Sequence, residues 1–139
     1  MTIKQLSVFI ENKTGRINDV ARILGIKGIN MNAFSLADAT DFGILRMIVS
    51  DVNAAKEALR EAGFAVMLTD VVCLSCANKP GALSSILDIL AREEIFIEYM
   101  YAFSEGDLAN VVIRPTDVEK CIDTLTNNAS GIVNFNTTY

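Results

Sequence analysis

Apolar residues along this chain alternate between two spacings. Ile17, Val20, Ile23 and Leu24 recur at i, i+3, i+6 and i+7, the stripe of an amphipathic helix, which predicts a helix over "RINDVARILGIKG". Ahead of it, "IKQLSVFI" is a β-rich run; behind it, "INMNAFSLA" reads as a second strand, "DATD" as a polar turn and "FGILRMIVS" as a third strand. Asp51 is placed to cap "VNAAKEALREAG", which ends on Gly63 as a C′ glycine, and "FAVML" opens a fourth strand.

The plan then repeats. Shifting the chain by 66 positions lays Asn12, Lys13 and Gly15 on Asn78, Lys79 and Gly81 without a gap from residue 12 to residue 59. Ile23-Leu24 falls on Ile89-Leu90, Ile29 on Ile95, Asp41 on Asp107, Asp51-Val52 on Asp117-Val118, and Leu59 on Leu125. The second copy reads "DVVCLSCA", a helix from Pro80 to Arg92, "IFIEYMYAFS", an "EGD" turn, "LANVVIR", a helix from Asp117, and "GIVNFNTTY". Each copy is strand, helix, strand, strand, helix, strand. That is the ferredoxin-like βαββαβ plan of the α+β class, four antiparallel strands with two helices on one face. The expected domains are residues 1–68 and 69–139. "FAVMLTDVVCLSCA" runs nearly unbroken between them, so the copies are expected to pack as a pseudo-twofold pair. The helix-free sheet faces, where Tyr99, Tyr101 and Phe103 alternate, point to a homodimer or higher oligomer.

Composition narrows the chemistry. A net charge of −5 disfavours nucleic acid and anionic membrane, and no apolar run reaches the length of a membrane span. The amino-terminal residues lack a signal-peptide shape, and three cysteines, an odd number, suit a reducing cytoplasm. The chain has no histidine, which removes the commonest general base and the commonest metal ligand. No Ser-His pairing and no phosphate-binding glycine loop is present, so a non-catalytic protein without cofactor or metal is expected. "CLSC" at Cys73–Cys76 has metal-carrier spacing, but a strand would send the two thiols to opposite faces.

What remains is "ENKTGR" and "ANKPGA". Each places a glycine where a strand turns into a helix, beside amides whose partial positive charge favours a carboxylate. An asparagine three residues earlier offers donors and an acceptor, so the loop supplies groups for both ends of an amino acid. Arg16 could pair with a carboxylate, and Lys13 and Lys79 could steer one.

Both halves resemble ACT domains, regulatory modules that bind amino acids in metabolic enzymes. The similarity rests on Asn12, Gly15, Leu24, Gly28, Ile29, Asn30 and Met31 in the first copy, and on Asn78, Pro80, Gly81, Leu83, Leu90 and Ile95 in the second. It implies a ligand site made from the loop asparagine, the backbone beside the glycine and the asparagine that opens strand two, at a contact between two domains. Carried over, Asn12, Lys13, Thr14, Gly15, Arg16 and Asn30 form the first set, and Asn78, Pro80, Gly81 and Ala82 the second. Thr14 stands where the family has proline, and Phe96 where Asn30 has its counterpart, a phenylalanine expected in the core or walling an apolar pocket. The resemblance implies an amino-acid sensor acting on a partner metabolic enzyme. A C-x-x-C metal carrier and a pure assembly module stay open as alternatives.

Overall fold

The computed structural model describes residues 2–38 and 41–135. The order is β1 (Thr2–Glu11), α1 (Arg16–Ile26), β2 (Met31–Asp38), β3 (Phe42–Val49), α2 (Val52–Glu61), β4 (Ala65–Ala77), α3 (Ala82–Arg92), β5 (Ile97–Glu105), β6 (Leu108–Pro115), α4 (Val118–Asn128) and β7 (Asn134–Phe135). These are two βαββαβ units in tandem, with β4 closing the first and opening the second. The chain divides into two compact units, one formed by Lys4–Thr69 and one by the residues from Asp70 onward together with Thr2 and Ile3.

In the first unit the strands lie in the order β2-β3-β1-β4, with β3 antiparallel to both β1 and β2. The register places Leu6 opposite Met47 and Val8 opposite Leu45, so these side chains share one face. Val20 and Leu24 of α1 and Ala55 and Leu59 of α2 close over that face, with Ile10, Ile29 and Phe64 completing the core. Each fully covered leucine stabilises the unit by roughly 1.5–3 kcal/mol through apolar burial.

In the second unit β6 lies between β5 and β4, and β7 pairs with the other edge of β4. Val72, Leu74, Val111 and Ile113 meet Ile86 and Leu90 of α3 and Cys121 and Leu125 of α4. The helix-free face of this unit carries apolar residues too. Val71, Cys73 and Val112 point to it and are fully buried, while Tyr99, Tyr101 and Phe103 are half-buried beside them.

Two boundaries also move. The second-copy helix starts at Ala82 with Gly81 as its N-cap, so Pro80 lies before the cap and not in the first turn. Ala39 and Thr40 of the predicted "DATD" turn, and residues 136–139 of the predicted last strand, lie outside the described residues. Among the described residues no helix is long and apolar enough to cross a membrane.

Candidate functional site

Each unit has two strand-to-helix corners, and they are finished differently. At the second corner an aspartate closes the helix mouth: the Asp51 carboxylate accepts the Ala54 N–H at 3.0 Å, and Asp117 accepts that of Lys120 at 3.0 Å. At the first corner the N-cap is Gly15 or Gly81, with φ of 91° and 86°, and neither helix has a side-chain cap. A Cβ added at either glycine would meet nothing within 4 Å. The requirement is therefore the left-handed backbone and not space.

The turns that set up these corners match. The Arg16 amide donates to Lys13 O at 3.3 Å and Asp19 to Gly15 O at 2.9 Å; the Ala82 amide donates to Lys79 O at 3.2 Å and Ser85 to Gly81 O at 3.1 Å. Between them, the amides of Ile17 and Asn18, and of Leu83 and Ser84, have no acceptor among the described residues. At the aspartate corners the amides of Val52 and Asn53, and of Val118 and Glu119, likewise have none among the described residues, so what sets the glycine corners apart is the missing side chain over the mouth.

The side chains around the corners divide into several roles. The Asn12 Oδ1 lies over Gly43, 3.8 Å from where a Cβ on that glycine would sit, with Leu36 packed on the same spot. The Asn78 amide donates to Asp107 O at 2.8 Å and its Nδ2 to Gly106 O at 3.3 Å, which ties the loop to the β5–β6 hairpin. Lys13 pairs with Glu11 at 2.8 Å and holds that carboxyl below its ordinary range by hydrogen bond and charge. Thr14 and Pro80 are exposed in their loops.

Arg16 is not turned toward a free anion. Its guanidinium lies over the Phe64 ring at 4.4 Å from the centroid and bonds Asp19 at 3.1 Å, while its Nε is buried without a partner. Asp19 is held below the usual carboxylate range by Arg22, at 2.8 Å, and then by Arg16. That acidic residue in the first turn offsets the dipole penalty a cation would face there.

Asn30 does not join this set within its unit. Glu11 stands opposite Phe42 at one end of β3, whereas Met31 stands opposite Val49 at the other. Asn30 is thus separated from Asn12 and Gly15 by the length of the strand, roughly 20 Å. It forms its own cluster, accepting the Ser50 amide, donating its own amide to Ser50 Oγ at 2.9 Å, and donating Nδ2 to Asn32 at 2.6 Å. Phe96, its counterpart, is 70% exposed, which overturns its expected place in the core.

A feature the sequence reading missed is a cleft of about 440 Å³ at the first corner of the second unit. Lys79 and Asp107 supply its charges, Ser85 a hydroxyl, and Ala82, Leu108 and Ile132 its apolar wall. The signal was available in the 66-residue shift: Glu11, Arg16 and Asp19 become Ala77, Ala82 and Ser85, all small.

The cysteines form no ion-binding group. Cys73 and Cys76 are buried on opposite faces of β4, Cys76 in the helix-side core, and burial pushes the Cys73 thiol up to about 11. Among the described residues there is no cluster of three or more potential metal ligands.

A tandem of βαββαβ units with an uncapped glycine corner in each defines a ferredoxin-like domain pair. The chain belongs to the ACT domain pair family, whose model matches residues 1–136. A crystal structure of a protein from Bacteroides thetaiotaomicron is similar over 99% of this chain and 95% of its own, with 47% identity and a TM-score of 0.93. The ligand-free regulatory subunit of aspartate kinase from Thermus thermophilus shares the fold at 16% identity and a TM-score of 0.68, over 91% of this chain and 94% of its own. The corresponding subunit from Thermus flavus gives 16% identity and a TM-score of 0.63 over the same shares. No curated protein matches the chain.

Proposed function

We propose that this ACT pair is a non-catalytic cytoplasmic regulator that binds a free amino acid at a glycine corner and passes the signal to a partner metabolic enzyme. The observation that carries the reading is the contrast between helix mouths: at two of them an aspartate side chain sits over the mouth and takes the third helical amide, and at the other two no side chain does, which leaves the amides of Ile17 and Asn18 and of Leu83 and Ser84 open to a ligand. A ligand carboxylate accepts from those amides, where the helix dipole adds to the hydrogen bonds. Its α-ammonium then needs an acceptor from the loop or hairpin beside the corner. A transition-metal carrier is not favoured, because both thiols of the C-x-x-C are buried and divergent.

Asn30 has no part in a corner of its own unit. Ligand would then shift the equilibrium between packing states only by its difference in affinity for them. Titration calorimetry of the whole chain against the free amino acids tests the proposal. Binding of one chemical class supports it, and heat-silent titrations at millimolar concentration across the panel remove it, leaving an assembly module that light scattering would register as a dimer.

A further inference from the structure

The two first corners share a backbone but differ in what fills them. At the first corner of the first unit the charged side chains engage one another at the surface. Glu11 pairs with Lys13, and Arg16 lies between the Phe64 ring and Asp19. The 66-residue shift replaces Glu11 by Ala77, Arg16 by Ala82 and Asp19 by Ser85, and the second unit has the cleft of about 440 Å³ at this place. Among the described residues neither Lys79 nor Asp107 forms an ion pair, although both line it.

We infer that the second corner is an open ligand cleft, that Arg16 fills the matching place in the first, and that one amino acid with an apolar side chain binds there per chain. This rests on the amino-acid reading above and specifies it. The Lys79 ammonium matches an α-carboxylate and the Asp107 carboxylate an α-ammonium. Ala82, Leu108 and Ile132 offer a surface that a polar side chain would desolvate against without return. The volume lies in the lower part of the roughly 300–1,000 Å³ span of small-molecule sites, ample for one amino acid.

The test titrates full-length wild type, Ala82→Met and Arg16→Ala with valine, leucine, isoleucine and phenylalanine. Methionine is neutral and a good helix former, so it narrows the cleft without adding charge or breaking α3. Wild type is expected to bind at least one of these apolar amino acids at one equivalent, Ala82→Met to lose at least about tenfold in affinity, and Arg16→Ala to stay within about twofold. Loss in Arg16→Ala with Ala82→Met unaffected overturns the inference and leaves the amino-acid reading standing. No binding by any of the three proteins removes that reading and the inference with it.

Discussion

The two units are copies in backbone and opposites in filling. Both place a left-handed glycine before an uncapped helix, and both cap the later helix with aspartate. Around that common frame the first unit packs long charged side chains that satisfy one another, and the second packs small ones that leave a cleft. The difference separates what the fold needs from what a site needs. Helices α2 and α4 take an aspartate side chain at the mouth, whereas α1 and α3 start from a left-handed glycine with no side-chain cap.

The largest test of the comparison uses the cores. All three cysteines belong to the second unit, and burial pushes Cys73 and Cys121 up to about 11 from 9.0, with Asp117 adding to the shift at Cys121. The folded thiols hold their protons when the unfolded ones have lost them. Their contribution is fully present below pH 9 and is lost as pH rises toward 11. Each thiol accounts for on the order of 2 kcal/mol. Urea unfolding followed by hydrogen exchange at pH 8 and pH 10.5 should therefore show the second unit weakening while the first holds; a uniform loss across both would contradict it.

Next come the glycines, which should behave alike. Gly15→Val and Gly81→Val each force a β-branched residue to a φ near 90° and should cost about 2–3 kcal/mol in thermal or denaturant melts. A substitution tolerated at one corner only would mean that the two backbones are not equivalent. At the second corners, Asp51→Ala and Asp117→Ala each remove one bond to a helix amide and should cost about 1 kcal/mol in the same measurement. Neither should change the affinity for an amino acid.

The smallest effect has the opposite sign. Gly25, within α1, has open space around it and corresponds to Ala91 of α3. Gly25→Ala should raise the first unit's stability by about 0.5–1 kcal/mol. An unchanged or lowered melting temperature would show that the glycine has a packing role in the first unit.

Much of this was legible in one dimension because it is local. Strand and helix periods follow from the alternation of side chains around a backbone, and the N-cap role of Asp51 and the C′ role of Gly63 follow from groups a few residues apart. The duplication itself needed only a shift of the sequence against itself. The α+β class and the paired βαββαβ plan were fixed at that level.

The site was legible only in part. That Gly15 and Gly81 end in bare helix mouths could be read from their place before an amphipathic run. That Asn30 sits at the far end of β3 could not, because antiparallel register decides which ends of neighbouring strands meet. The stacking of Arg16 on Phe64 likewise joins residues 48 positions apart, and no local rule pairs them. Sequence alone therefore determined the repeated frame and its polar corners, since propensity, capping and periodicity act over a few residues. Which corner is filled and which stands open was decided by packing, because that depends on side chains brought together only when the sheet and its helices close.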